Sequence, residues 1–254
     1  MNPTQNRLIE TATSQSIALK TSITAIMAAL TCVVTMSISI YIPSSEGFFN
    51  IGESIVYLSA ILFGPYIGAL SGGIGSMAAD LLLGYPNYAP GTLVIKGIEG
   101  FIVGFVYQKL RNGKSIEIKK VLIFIISLIS IGGLFFLLVS LGVIPNYDGF
   151  LNFWEIIVAE NLGVLFWILF PILSLAAILV IAFLIRKFFN RDTTDKIISM
   201  MIGGIILVIG YFLYGSILYG FVVYVEIPFN MLQSIVGTVI AVPLINPIRK
   251  TLKF

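Results

Sequence analysis

The segment FGPYIGALSGGIGSMAAD, residues 63–80, is apolar and carries small residues at regular intervals. Gly64, Gly68 and Gly72 lie four residues apart, and Gly75 and Ala79 follow at spacings of three and four. These positions fall on one face of an α-helix. Because small side chains let helices approach closely in lipid, where packing drives helix association, the segment is predicted to be a membrane helix packed inside a bundle.

The composition of the whole chain places it in a lipid bilayer. Of the 254 residues, 58% are hydrophobic and only 11% are charged, whereas a soluble domain usually carries about 25% charged residues. Apolar runs of about 18 residues or more recur along the full length, so no appended soluble domain is expected. We therefore predict an all-α integral membrane protein that forms a single membrane domain over residues 1–254.

Hydrophobic segments divide the chain into about eight predicted spans. The second and third segments are short and are separated by Gly64–Pro65. They form either two short spans or one re-entrant hairpin, and two spans are favoured. The segments cover residues 16–42, 47–64, 66–83, 91–108, 121–143, 156–185, 197–222 and 230–247.

Lysine and arginine residues predict the orientation of these spans. The loops 108–120 and 186–196 and the tail 248–254 are basic, whereas the opposite loops near 43–50, 84–90, 144–155 and 223–229 contain neither residue. Basic loops stay on the cytoplasmic side of a membrane. We therefore expect a multi-pass protein of the cell membrane with both termini in the cytoplasm.

Polar residues collect in the halves of the helices that lie away from the basic loops. Lys96 lies about 8 Å into its helix, and Glu99 lies one turn deeper. A charge at mid-helix costs roughly 2.5–3.5 kcal/mol on insertion scales, so such residues usually face a bundle interior or a wet cavity. The halves nearer the basic loops hold almost nothing ionisable. This distribution predicts a pocket that is open to the outside only, which is typical of a binding protein rather than a pore.

Each of these polar residues also has a structural explanation. Lys96 could neutralise Asp80 or Glu99 and hold helices together without any ligand. Tyr214 is also typical of the aromatic belt at a membrane interface. Asn230 is a good helix N-cap. A structural role and a place in a pocket wall are compatible, because an ion pair can form part of a wall.

The first segment carries a second stripe of small residues. Ala18, Ser22, Ala25, Ala29 and Cys32 recur at intervals of three and four, so they share one face of the helix. Such a face suits either packing within the bundle or docking of another membrane subunit.

The residue types exclude several classes of function. The chain has no histidine and one cysteine, so His-based metal sites, Ser–His catalysis and an intramolecular disulfide are excluded. No GxxxxGK[ST] motif for ATP binding occurs. We expect no enzyme activity, cofactor, metal or nucleic-acid partner. An ion- or proton-coupled secondary transporter that uses Lys96, Glu99 and Asp80 is the alternative, although no internal repeat is found and these charges lie far from the midplane.

Two stretches of the chain resemble a known family. Residues 47–105, GFFNIGESIVYLSAILFGPYIGALSGGIGSMAADLLLGYPNYAPGTLVIKGIEGFIVGF, and residues 224–244, YVEIPFNMLQSIVGTVIAVPL, are similar to the substrate-binding S components of energy-coupling-factor (ECF) vitamin transporters. The closest resemblance is to the branch of hydroxymethylpyrimidine-, pyridoxine- and riboflavin-type proteins. The ordered combination of the glycine-rich helix, Asp80, YPNYAP and IKGIEG carries the resemblance.

The resemblance implies a six-helix core that captures a vitamin or vitamin precursor at its outer face. It also implies a separate membrane scaffold subunit and two ATPase subunits, which drive uptake with ATP. Family members carry an AxxxA-like motif on the first helix that contacts the scaffold, and Ala25 and Ala29 match it. The docking residues are therefore expected to be Ala18, Ser22, Ala25 and Ala29.

The chain departs from the family pattern in one respect, because segments 121–143 and 156–185 form a predicted extra helical hairpin, about residues 121–186. The core would then comprise residues 16–110 and 197–252. Aromatic residues would stack on the ring of a ligand, while amide and charged groups select its edges. The predicted substrate-binding residues are Glu46, Asn50, Glu53, Asp80, Tyr85, Tyr88, Lys96, Glu99, Tyr214, Asn230 and Gln233.

Overall fold

A computed structural model describes residues 3–42, 46–112, 189–220, 223 and 226–251. Within these ranges the chain forms six α-helices and one two-stranded β-hairpin. The helices are α1 (Pro3–Ser37), α2 (Glu53–Phe63), α3 (Pro65–Leu83), α4 (Ala89–Arg111), α5 (Arg191–Tyr219) and α6 (Glu226–Thr251), and the strands are β1 (Ser39–Ile42) and β2 (Gly47–Asn50).

Five of the described helices are long and apolar enough to cross a membrane, namely Ser16–Ser37 of α1 and all of α3, α4, α5 and α6. Helix α2 has 11 residues, about 16 Å of helix, which is short of the roughly 30 Å hydrocarbon core. The predicted hairpin at 121–186 lies outside the described residues. The count of eight spans, the six-helix core and the division into 16–110 and 197–252 therefore stay predictions.

The β-hairpin is the exception to an otherwise all-α fold. The helix predicted over 16–42 ends at Ser37, and residues 39–42 pair antiparallel with 47–50, with Ser39 opposite Asn50. Alternating isoleucines favour a strand here, and a proline at position 43 disfavours helical geometry at Ile42. We call the end of the bundle that carries this hairpin the hairpin end. The opposite end, at Arg111, Arg191 and Arg249, is the basic end.

A glycine separates α2 from α3. Gly64 has φ +94°, a conformation that residues with a Cβ rarely adopt. Pro65 follows as the first residue of α3, where its missing N–H costs no helical hydrogen bond. The pair therefore ends one helix and starts the next without an intervening loop.

The glycine face of α3 packs inside the bundle, as predicted. A Cβ atom on Gly100 of α4 would overlap the carbonyl oxygen of Gly68, and a Cβ on Gly75 would overlap the carbonyl oxygen of Ala28 in α1. Backbone therefore meets backbone where α3 crosses α4 and α1. Such close approach increases the dispersion contacts that hold helices together in lipid.

Helix α2 occupies the centre of the described bundle, and each of its residues from Glu53 to Ile61 is buried. Its apolar residues pack with those of α4, α5 and α6 in one core cluster, formed by Ile55, Tyr57, Leu58, Ala60, Ile61, Val103, Tyr107, Met200, Ala241 and Ile245. The core fixes the positions from which α2, α4 and α6 present their polar residues toward the hairpin end.

A second polar cluster lies at the basic end. Lys196 is fully buried, contacts Asp192 and donates a hydrogen bond to Asn246 Oδ1 at 2.6 Å. Tyr107 Oη donates to Asp192 Oδ1 at 2.9 Å and accepts from Arg249 Nη2 at 2.9 Å. The expectation that the halves nearer the basic loops hold almost nothing ionisable is wrong here. The reason is that α5 begins at Arg191, so that part of the predicted loop 186–196 forms its first turns.

Substituting alanine for glycine at two positions of α4 tests the backbone contact. Gly100→Ala should lower the free energy of unfolding by about 1–3 kcal/mol, because the added methyl group overlaps backbone atoms that cannot turn aside. Gly97→Ala is the matched control, since its Cβ would lie 3.7 Å from Ala69 O, an ordinary contact. The measurement is the midpoint of thermal unfolding in detergent, and equal midpoints for the two variants would contradict the packing described here.

Candidate functional site

A recess opens at the hairpin end, where β2 meets α1, α3, α4, α5 and α6. Its cavity volume, measured as the space open to the centre of a water-sized sphere, is about 30 Å³. This is room for about two water molecules. Both aromatic and polar side chains form its wall. The lining residues are Thr35, Gly47, Phe48, Asn50, Ser76, Asp80, Tyr88, Thr92, Lys96, Tyr211, Glu226, Asn230 and Gln233.

The ammonium group of Lys96 lies between two carboxylates at the bottom of the recess. It contacts Glu53 Oε1 of α2, and Glu99 Oε2 lies 3.6 Å from it, one turn along α4. All three side chains are almost completely buried. The predicted pairing of Lys96 with Glu99 is confirmed, whereas the pairing with Asp80 is replaced by one with Glu53. Buried charges require such partners, because their desolvation is costly.

Gln233 of α6 joins this ion pair to the hairpin. Its Oε1 accepts hydrogen bonds from the backbone N–H and the side-chain amide of Asn50, both at 3.1 Å. Its Nε2 donates to Glu53 Oε1 at 3.1 Å. Asn50 Oδ1 in turn accepts from the backbone N–H of Gly52 at 2.9 Å, just before α2 begins. One amide side chain therefore fixes the hairpin against α2 and α6.

Tyr57 lies below the ion pair and contacts one oxygen of its second carboxylate. The Tyr57 hydroxyl donates to Glu99 Oε1 at 3.0 Å and lies 2.9 Å from Ser234 Oγ. Because the phenol gives its proton to Glu99, the Ser234 hydroxyl is the donor in the second bond. The polar chain thus continues from Asn50 at the hairpin to Ser234 in α6.

Several polar atoms in the wall have no hydrogen-bond partner among the described residues. They include Asp80 Oδ2, Asn230 Nδ2 and Thr35 Oγ1, and all three residues are more than nine-tenths buried. Buried polar groups are normally paired. An acceptor, a donor and a hydroxyl are therefore available toward the interior of the recess. In the part of the chain that the structure describes, no group of three or more His, Cys, Asp or Glu side chains could hold a metal ion.

Tyr88 closes the wall beside Glu226. Its hydroxyl donates to Glu226 Oε1 at 3.0 Å, and its ring stacks on Tyr219 with 5.6 Å between centroids. Burial and the neighbouring Glu226 carboxylate raise the pKa of the Tyr88 phenol. The phenol therefore remains a neutral donor at physiological pH.

Eight of the predicted binding residues lie in or directly beneath the wall. Asn50, Asp80, Tyr88, Lys96, Asn230 and Gln233 line the recess, and Glu53 and Glu99 contact Lys96 from below.

Three other predicted binding residues lie outside the wall. Glu46 is exposed. Tyr85 lies behind the lining residue Phe48, with 4.7 Å between ring centroids. The Tyr214 hydroxyl donates to the backbone oxygen of Asn87 at 2.8 Å. As ligand contacts these three residues stay predictions.

The sequence reasoning missed part of the wall, although helical spacing could have found some of it. Ser76 and Thr92 lie one turn before Asp80 and Lys96 on the same helical faces. Tyr57 lies one turn after Glu53 in the same way. Tyr211 likewise lies one turn before the predicted residue Tyr214. Phe48 has no such helical neighbour, because it lies in β2, within the segment 47–64 that was predicted as a span.

The small-residue stripe of α1 lies on the outside of the described bundle. Ala18, Ser22, Ala25 and Ala29 are all exposed. The Ser22 hydroxyl donates to Ala18 O at 2.9 Å, which satisfies its polar group within the helix. Helix α1 instead uses a neighbouring face, with Ala28 and Thr31, to pack against Gly75 of α3. These four residues are therefore available to another protein or to lipid.

Comparison with known proteins assigns the family. Residues 16–164 match the model of the ECF-type riboflavin transporter, S component. The chain belongs to this family. Members of this family are S components of transporters and not enzymes. The five apolar helices of the described residues agree with a multi-pass membrane protein.

Two curated relatives are similar to parts of the chain. An uncharacterised protein of Pyrococcus woesei is 49% identical over 80 residues, which are 32% of this chain and 53% of the relative. The thiamine precursor transporter HmpT of Lactococcus lactis subsp. cremoris is 32% identical over 94 residues, 37% of this chain and 57% of the relative. Each match spans just over half the length of the relative.

Removing the charge of Lys96 tests whether the three buried groups act as a unit. Lys96→Met should lower the free energy of unfolding by about 3–5 kcal/mol, because it leaves two buried carboxylates without their cation. Adding Glu53→Gln should recover part of this loss, since one of the two uncompensated charges is then removed. Thermal unfolding of both variants in detergent gives the comparison. A double variant no more stable than the single one would show that the charges do not interact as described.

Proposed function

We propose that this protein is the substrate-binding S component of an ECF importer of the cell membrane. It captures a vitamin or a vitamin precursor at the extracellular face, with both termini in the cytoplasm. A membrane scaffold subunit and two ATPase subunits then drive uptake with ATP. The single observation that carries the proposal is a recess of aromatic and polar side chains at the hairpin end of a chain that belongs to this family.

The composition of the wall supports a small heterocyclic ligand. Phe48, Tyr88 and Tyr211 supply ring faces for stacking, and Asp80 and Asn230 supply unpaired polar atoms for the edges of a ring. Sites for small molecules typically combine an apolar lining with a few such groups. The relative HmpT is a thiamine precursor transporter, and such a ligand would be of the same kind.

The recess must enlarge to admit such a molecule, because ligand sites usually measure about 300–1,000 Å³. Gly47, Phe48 and Asn50 of β2 form its cover, and the hydrogen bonds between Asn50 and Gln233 hold that cover to α6. Glu46, Tyr85 and Tyr214 lie around the wall and are proposed as contacts of the enlarged site.

The exposed face of α1 supports docking of the scaffold. Close helix contact in lipid needs small side chains, and Ala18, Ser22, Ala25 and Ala29 are exposed in one stripe. The described basic residues Arg111, Arg191 and Arg249 at the basic end support cytoplasmic termini, because lysine and arginine prefer that side of a membrane.

Ligand capture is tested on the purified protein in detergent. Mass spectrometry of small molecules released on denaturation, followed by titration with a panel of vitamins and precursors, should identify a tightly bound compound. Asn230→Leu should weaken its binding about tenfold, because one hydrogen bond to the ligand is lost. Tyr66→Phe, at an exposed position in the first turn of α3 and far from the recess, is the control and should bind as the unchanged protein does. Failure of every compound in the panel to bind, with none released, would refute the proposed function.

Docking is tested by uptake in vesicles that contain the scaffold and ATPase subunits. Ala25→Leu combined with Ala29→Leu should abolish ATP-dependent uptake and leave ligand binding intact, because the added side chains keep the scaffold helices apart. Ala28→Leu, on the face that packs against α3, should instead lower stability and binding together. If the double variant also lost binding, the stripe would be part of the folded core and not a docking surface.

A further inference from the structure

Acidic side chains outnumber basic ones among the buried groups around the recess. Glu53, Asp80 and Glu99 are 1%, 4% and 0% exposed, and Lys96 at 2% is the cation among them. Even with the wall residue Glu226 left out, three carboxylates accompany one ammonium group. Among the residues whose side chains are described, the other lysines and arginines lie near the start of the apolar part of α1 or toward the basic end, at Lys20, Lys109, Arg111, Arg191, Lys196, Arg249 and Lys250.

Two carboxylates flank the ammonium of Lys96. It lies between Glu53 and Glu99, and both carboxylates are buried with it. An anion that approached this lysine would have to displace one of them or lie beside both. Like charges at close range in a desolvated site oppose binding strongly.

Asp80 in contrast offers an unused acceptor. Its side chain is 4% exposed and lines the recess, and no donor among the described residues reaches Oδ2. The amide nitrogen of Asn230 in the same wall is also without a partner within the described chain. The Asp80 carboxyl group has a hydrogen bond with the Thr92 side chain. Its free oxygen Oδ2 favours a ligand that brings positive charge or an N–H group to it.

We propose that the wall selects the charge of the ligand: a cationic or N–H-bearing ring edge binds against Asp80, and phosphorylated or carboxylated forms of the same compounds are rejected. The inference deepens the proposed function and rests on it for the chemical nature of the ring. Phosphate esters are the forms in which many vitamins act as coenzymes. The recess would therefore take up the unphosphorylated compound, and phosphorylation would have to follow entry.

Matched pairs of compounds test this selection on the purified protein. Thiamine, pyridoxine and riboflavin are each titrated beside their monophosphate esters by calorimetry. For every vitamin that binds, we expect the ester to bind at least about tenfold more weakly. An ester that binds as tightly as its parent vitamin, or more tightly, would overturn the proposal.

A second measurement is independent of the vitamin. Benzamidinium and benzoate have nearly the same shape and opposite charge. Benzamidinium at millimolar concentration should raise the midpoint of thermal unfolding and benzoate should not. Asp80→Asn, which preserves the shape of the side chain, should abolish the effect of benzamidinium and reduce the discrimination against phosphate esters.

The outcomes separate the two proposals. If no vitamin binds but benzamidinium stabilises the protein selectively, the proposed function fails and the charge selection stands. If vitamins bind and benzoate or the esters bind equally well, the proposed function stands and the charge selection is wrong. If Asp80→Asn does not fold, the comparison of benzamidinium with benzoate on the unchanged protein still decides between these results.

Discussion

The contact of one buried lysine with two buried glutamates is the interaction on which the hairpin end depends. Lys96 comes from α4, as does Glu99, whereas Glu53 comes from the first turn of α2. None of the three charges is tolerable in a bilayer without the others. The helices that carry them must therefore meet at one depth. Gln233 and Tyr57 extend the same constraint to the hairpin and to α6 through hydrogen bonds.

The glycines of α3 and α4 make this meeting possible. Backbone contact between Gly68 and Gly100 places α3 and α4 closer together than larger side chains would allow. Gly72 similarly faces the carbonyl oxygen of Lys96 and the side chain of Val56 in α2. Close packing below the ion pair thus sets the height and orientation of the polar groups above it. The recess lies above this packed region, between the helices and strand β2.

The described molecule separates its surfaces by chemistry. Unpaired polar atoms of Asp80 and Asn230 lie inside the recess, the small side chains of α1 lie outside, and a buried cluster around Lys196 holds α4, α5 and α6 together at the basic end. Under the proposed function, capture and docking therefore use separate surfaces of one rigid bundle. A substitution on one surface can then change its own task without changing the other.

Much of the candidate site could be predicted from the sequence, because charged residues inside apolar segments usually face a bundle interior or a water-filled cavity. Lys96, Glu99 and Asp80 were expected to converge for this reason, and they do. The partner of Lys96 could not be predicted. The predicted topology allows either Asp80 or Glu53 to reach Lys96. The choice between them depends on side-chain positions to within about an ångström. The hairpin was missed because its strand residues are as apolar as the helix before them.

The sequence by itself determined the membrane environment, the helical character, the glycine-mediated packing of α3 and the convergence of Asp80, Lys96 and Glu99 near the hairpin end. These properties follow from composition and periodicity, which act locally along the chain. The tertiary structure alone decided that the stripe of α1 faces outward, that α2 lies at the centre, that Lys196 is buried, and which wall atoms remain unpaired. Those outcomes depend on contacts between residues far apart in sequence. Helical spacing predicts the face of a helix on which a side chain lies, but it does not predict which residue of another helix that side chain contacts.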